Sequence, residues 1–218
     1  MTYYQNRGFL ANMPPVVKNL LIINAIMLLA TFITGDLLYE KLALFYPASP
    51  LFKPYQFVTH IFMHGNFLHL FFNMYALWVF GCALEYVWGS KRFFTFYMAT
   101  GIGAAAFHTF VLWLTVSSTP ANTVAYYQML MTPTVGASGA IYGVLLGYGM
   151  LFPNNVLQLL FPPVALKAKW FVLIFGALEL ILGLTNRGGN IAHFAHLGGM
   201  IFAYIFIRLW RQKGRMYF

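Results

Sequence analysis

Gly136-Ala137-Ser138-Gly139-Ala140-Ile141 lies inside a stretch, 134–152, that otherwise reads as a membrane-spanning helix. Serine is a common small residue in such helices, and one taken alone usually bonds back to its own helix. What sets Ser138 apart is its company. Two further apolar stretches carry imidazoles, His69 with Asn73 in one and His193 with His196 in the other. Polar and ionisable groups placed in hydrocarbon are costly and tend to mark function.

The composition bounds the class. Of 218 residues, 61% are hydrophobic and 8% charged, against about 25% charged in soluble domains. No soluble fold of this size could hide that much apolar surface, because folded domains leave much of their surface in water. The chain therefore reads as an integral membrane protein in a lipid bilayer. Its net charge of +9 does not point to nucleic acid, since the cations sit at helix ends and form no basic patch interleaved with aromatics. The first apolar run, from Val16, is too long for a cleavable leader and lacks a small-residue cleavage site. Cys82 stands alone, so no internal disulfide can form.

A helical span needs about 20 mainly apolar residues. Six segments qualify: 16–34, 66–84, 93–116, 134–152, 169–185 and 190–210. The second starts at Asn66, because Gly65-Asn66 is a break and N-cap before the apolar run from Phe67. That start leaves residues 35–65 as an unusually long connection, and such length is often functional. Its prolines 47, 50 and 54 and its aromatic clusters suggest a structured loop lying on the membrane surface. The expected fold is an all-α membrane protein. It is a six-transmembrane-helix bundle in one domain, 1–218, with a long structured outer loop between helices 1 and 2.

Lys and Arg set the orientation. With six spans both termini share a side, which collects Arg7, Lys18, Lys91, Arg92, Lys167, Lys169, Arg208, Arg211, Lys213 and Arg215. The other side receives Lys41, Lys53 and Arg187. The termini are therefore expected in the cytoplasm, and the short termini with the six-span plan suggest a bacterial inner membrane. Ser138, His69 and His196 then fall within roughly 5–10 Å of the outer boundary at 1.5 Å per residue. Three separately located polar groups share one level.

Their chemistry is that of acyl transfer. Ser138 and Tyr142 are four apart on one helix face, as are His69 and Asn73. Small-residue stripes, Gly139-Gly143-Gly147 and Ala195-Gly199-Ala203, would let spans four and six approach closely. That approach brings the Ser138 hydroxyl to the His196 ring, with His196 as general base. A Ser–His dyad is expected, with Tyr142 packed under the ring. The Ser138 N–H with the His69 and Asn73 side chains would meet the oxyanion. A serine protease in water usually adds a carboxylate to orient its histidine. Of four acids, Asp36, Glu40, Glu85 and Glu179, only Glu179 lies near this depth and could serve so. It is either a pairing or gating group or a proton-accessible acid. His64 either ties the outer loop to the bundle or assists the oxyanion site, and His60 and His108 read as packing residues. Trp78 and Phe72 on span two, with Phe171 and Phe175 on span five, are candidates for a lateral substrate entrance.

The chain resembles the rhomboid intramembrane serine proteases. The resemblance is carried by Gly136-Ala137-Ser138-Gly139 with Tyr142, by His69-x-x-x-Asn73 with His64 upstream, and by Ala195-His196-x-x-Gly199. It runs from about residue 14 to 210 and matches the minimal six-span bacterial form. It implies Ser138 as nucleophile, His196 as base, and His69, Asn73 and the Ser138 amide as the oxyanion site. Gly199 would give His196 room. It also implies transmembrane protein substrates, cut near the outer face with no cofactor or metal. The chain departs from the family at Phe52-Lys53-Pro54-Tyr55, where a Trp-Arg pair is common, and at Glu85-Tyr86-Val87, where Glu-x-Arg is common. His193 is a rival base, but the Ala-His-x-x-Gly context favours His196. The alternatives are an inactive rhomboid-like protein that binds membrane proteins, and a proton-coupled transporter. The first usually lacks the serine or the histidine, and the second predicts inverted repeats that are not found.

Overall fold

Pro15 opens the first helix, where its missing N–H would have had no partner, and Gly35 closes it with φ of +59°, a conformation glycine tolerates best. The computed structural model describes residues 12–158, 163–185 and 190–212. Helix α1 is Pro15–Thr34 and α2 is Asp36–Leu42. A run of turns leads to α3, Gln56–Thr59, and a 3-10 turn, His60–Phe62. Asn66 then caps α4, Phe67–Ala76, its side chain accepting the His69 N–H at 2.8 Å. A π turn, Leu77–Gly81, joins α4 to α5, Cys82–Trp88, in one apolar helix. After Gly89 come α6, Ser90–Ser117, α7, Val124–Met131, and α8, Ser138–Leu151. Strands β1, Val156–Gln158, and β2, Ala165–Lys167, pair antiparallel before α9, Ala168–Thr185, and α10, Asn190–Gln212.

Among the described residues four helices are long and apolar enough to cross a membrane: Pro15–Thr34, Phe67–Trp88, Ser90–Ser117 and Ala168–Thr185. Their outward faces expose Ile26, Leu29, Phe32, Phe72, Leu173 and Leu184. A surface so apolar belongs in lipid, and the protein is an integral membrane protein of the helical type.

Helix α8 lies at the centre, packed against α4, α5, α6, α9 and α10. Glycine makes this possible, but not in the arrangement expected. The stripe Gly139-Gly143-Gly147 does not face α10 along its length. A Cβ at 139 would sit 2.5 Å from Ala104 Cβ and one at 143 would sit 2.8 Å from Thr100 Cβ, both on α6. At 147 the neighbours are Leu84, Trp88 and Phe96. The stripe thus turns toward α5 and α6, while α10 meets α8 backbone to backbone at Gly139.

Segment 134–152 also needs correcting: it is helical only from Ser138. Pro133 cannot donate an N–H, and Gly136 has φ of +127°. Thr134 instead forms a two-way bridge with Leu44, at 2.9 and 2.8 Å, and the Gly136 N–H donates to the His60 carbonyl at 3.0 Å. The 35–65 segment therefore supplies the hydrogen bonds that hold this lead-in extended. That segment is pinned by Gln56, fully buried, whose amide donates to the Leu51 carbonyl at 2.9 Å and accepts from the Lys53 N–H at 3.1 Å. The second span runs past 84 to Trp88, and α7 forms within the polar 117–133 connection.

Glu85, in the last turn of the second span, is buried. Its carboxylate accepts the N–H groups of Val16 at 2.9 Å and Val17 at 2.8 Å, and the Ser90 hydroxyl at 2.7 Å. It satisfies the otherwise unpartnered first turn of α1 and places a negative charge at the positive end of that helix.

Candidate active site

Because α8 starts at Ser138, the N–H groups of Ser138, Gly139 and Ala140 have no carbonyl within the helix; the first helical bond runs from Ile141 to Ala137 at 3.0 Å. Helix α10 crosses directly above. A Cβ at Gly199 would stand 1.9 Å from the Gly139 carbonyl oxygen, and one at Gly198 would stand 2.7 Å from Phe107 Cβ. Only glycine admits α10 to this depth between α8 and α6.

One turn before Gly199, His196 places Nε2 2.8 Å from Ser138 Oγ. Tyr142, one turn after Ser138, stacks on the His196 ring with centroids 4.3 Å apart and planes 8° from parallel. His193 does not reach Ser138. Its Nδ1 lies 2.6 Å from Glu179 Oε2 on α9. The Glu179 Oε1 accepts the Tyr142 hydroxyl. Glu179 Oε2 is also 3.0 Å from His196 Nδ1, a close contact whose angle falls short of an aligned hydrogen bond. Of the two histidines, only His196 faces the serine, while both face the carboxylate.

Glu179, His193 and His196 bring one ligand-type atom each within 4.8 Å of the others. Two donors to one tetrahedral zinc at about 2.1 Å stand about 3.4 Å apart. The 2.6 Å separation of His193 and Glu179 is a hydrogen bond, so the cluster as it stands is hydrogen-bonded and does not form a metal cage.

His69 comes from the other side. Its ring lies against Gly136, where a Cβ would meet Nε2 at 2.9 Å and Cε1 at 2.8 Å. Its Nδ1 takes a long contact from the Gly65 N–H at 3.5 Å, which leaves Nε2 as the protonated nitrogen facing the Ser138 lead-in. Asn73 spends one of its two amide hydrogens on the His69 carbonyl at 2.8 Å. His64 is buried edge-on against His69, centroids 5.0 Å apart, and Tyr39 donates to its carbonyl at 2.9 Å. Burial, then the neighbouring His69, pushes the His64 ring down to about 4, so it stays neutral. His60 is likewise pushed down to about 4 by burial, while its Nδ1 lies 2.9 Å from the Gln56 carbonyl. His108 Nε2 is 2.9 Å from Thr134 Oγ1. His60 and His108 thus flank the extended lead-in.

Of the candidate entrance residues, Phe171 packs at a tilt on Phe175 at 4.4 Å and stacks on Phe80 of the π turn, in the second span, at 6.2 Å, and Phe72 is mostly exposed. Two features escaped the sequence reading: the left-handed Gly136, and the sharing of the Glu179 carboxylate between Tyr142 and His193. A proline three residues before a glycine was a signal for the first. The second had none, because residues 142, 179 and 193 meet only in three dimensions.

A family model described as the Rhomboid domain matches residues 52–213. Over 145 residues the chain is 33% identical to the mitochondrial Rhomboid protein 1 of Saccharomyces cerevisiae, covering 66% of this chain and 38% of that protein. It is 31% identical over 153 residues to Rhomboid protease AarA of Providencia stuartii, covering 66% and 54%. It is 29% identical over 152 residues to Rhomboid protease GluP of Bacillus subtilis, covering 67% and 24%. The matched region thus spans about a quarter to a half of each of these relatives.

Proposed function

The chain belongs to the rhomboid family, and from that premise we propose that it is an intramembrane serine endopeptidase that cuts transmembrane segments of other proteins. The observation that carries this reading is the 2.8 Å approach of His196 Nε2 to Ser138 Oγ at the start of α8. Similarity to proteins named as rhomboid proteases supports it.

In this reading Ser138 attacks a substrate carbonyl. The Oγ–H proton passes to His196 Nε2 as the Oγ–C bond forms and the carbonyl electrons move to oxygen. The Ser138 N–H, the His69 Nε2–H and the remaining Asn73 amide hydrogen stabilise that oxyanion. The proton on Nε2 then goes to the leaving amine, and water repeats the sequence to release the acyl group. The free N–H groups and positive end of α8 favour the developing charge. A helical substrate hides its carbonyls in hydrogen bonds, so helix-weakening residues near the cut should matter more than a fixed side-chain code.

The architecture follows. One domain, 1–218, crosses the membrane six times, α8 and α10 joining the four long apolar helices. With 14 residues α8 is about 21 Å long, shorter than the roughly 30 Å of hydrocarbon. Its first residue therefore lies below the outer surface, and the non-helical lead-in is acceptable there because it lines a protein-enclosed, water-accessible site. The Lys and Arg bias supports cytoplasmic termini, and the six-span plan supports a bacterial inner membrane.

The test is cleavage of a model transmembrane substrate in liposomes by wild type, Ser138→Ala and His196→Ala. Cleavage by wild type alone is expected. Equal cleavage by either variant would overturn the assignment.

A further inference from the structure

The inference rests on the proteolytic reading above and adds a residue to it. We propose that Glu179 is a positioning residue for His196, so that the reacting pair works as a Ser138–His196–Glu179 unit.

The argument begins with the ring nitrogens. Ser138 can give its proton to Nε2 only if that nitrogen carries the lone pair, which puts the ring proton on Nδ1. Nδ1 lies 3.0 Å from Glu179 Oε2. In the other tautomer, lone pairs on nitrogen and carboxylate oxygen would confront each other at that distance, away from bulk water. The carboxylate therefore selects the tautomer that can act as base. The N–H line misses ideal alignment. Such bonds commonly tighten when substrate binds.

Glu179 is itself held in place. Oε1 accepts the Tyr142 hydroxyl and Oε2 accepts His193 Nδ1–H at 2.6 Å. Tyr142 also stacks on His196, so one side chain fixes both the ring plane and the carboxylate that faces its edge. His193 and His196 are one turn apart on α10 and present their rings to the same carboxylate. On α9, Gly176 and Gly183 open the space this needs. A Cβ at 176 would meet Met200 Cε at 3.1 Å, and one at 183 would meet the Phe194 ring at 3.2 Å. The rival base of the sequence thereby acquires a separate task, which is to anchor the carboxylate.

The consequence for the reaction is electrostatic. When Nε2 takes the serine proton, an imidazolium forms beside a carboxylate already present, so an ion pair arises where an isolated buried cation would be costly. The proton moves from Oγ to Nε2 and onward to the leaving amine; Glu179 gains and loses none. Its service is orientation and charge.

The test uses the full chain in detergent or liposomes. In protein carrying 15N-histidine, the His196 signal, assigned from its loss in His196→Gln, should show Nδ1 protonated and Nε2 bare. A wild-type His196 protonated on Nε2 overturns the proposal whether or not any variant folds. For Glu179→Gln, labelling of Ser138 by a fluorophosphonate should still reach one per chain, with a rate constant about 10–100-fold lower. The loss should fall in kcat with KM little changed. A rate within twofold of wild type refutes the positioning role. So does a fall in labelled fraction at an unchanged rate, which is the sign of a merely structural residue. A wild type that neither labels nor cleaves defeats the proteolytic reading, while the tautomer spectrum still decides the role of Glu179.

Discussion

Replacing Gly199 by alanine tests the geometry that places His196 against Ser138. The added Cβ would lie 1.9 Å from the Gly139 carbonyl oxygen, and real Cβ contacts essentially never fall below 3.0 Å. The obstacle is backbone, which cannot swing aside as a side chain can. α8 and α10 must therefore separate by about 1.1 Å. If the separation acts along the Ser138–His196 line, the 2.8 Å contact opens to about 3.9 Å and is no longer a hydrogen bond. A misplacement of about 1 Å costs on the order of 100-fold in rate, and overpacking of this kind costs about 1–3 kcal/mol or more in stability. The assay is the rate of fluorophosphonate labelling, with thermal unfolding in the same detergent. Gly147→Ala is the control at the far end of α8, where the nearest neighbours are the Leu84 and Trp88 side chains at 3.1 Å. It should lose about 1–2 kcal/mol of stability and keep its labelling rate within about threefold. A Gly199→Ala protein that labels and cleaves within twofold of wild type would refute the reasoning.

Glu85→Ala leaves two α1 N–H groups and the Ser90 hydroxyl without their buried acceptor; it should cost about 3–5 kcal/mol in denaturant unfolding. Gly136→Ala puts a Cβ 2.8 Å from the His69 ring at φ of +127°. We expect about 1–3 kcal/mol of strain and at least a tenfold slower labelling, read in the two assays above. The folded His60 and His64 rings titrate near 4, below the ordinary 6.5, because burial disfavours their charged forms. The unfolded chain therefore binds more protons between these values, and stability should fall as pH drops from 6.5 toward 4, by about 2–3 kcal/mol for each ring. His64→Gln should flatten that slope in unfolding curves taken across the window.

Composition and periodicity were enough for the membrane class and for most helices. An apolar run in lipid has to satisfy its backbone internally, and an N-cap such as Asn66 announces itself locally. The same local logic put Ser138 with Tyr142, and His196 with Gly199, on shared helix faces. What the local sequence could only hint at, through Pro133 and Gly136, was where α8 begins. That depends on Leu44 and His60 supplying hydrogen bonds to Thr134 and Gly136 from some 75–90 residues away, which leave the serine at a helix N-terminus and not within a helix. Likewise the stripe of glycines on α8 showed that close packing was needed but not against which neighbour, since a small residue admits any helix that fits. Tertiary structure turned that stripe toward α6 and brought α10 closest to the α8 backbone at Gly199. It also gave Glu179 its partners, because a carboxylate in hydrocarbon has to be met by donors, and Tyr142, His193 and His196 converge on it only once three helices have packed.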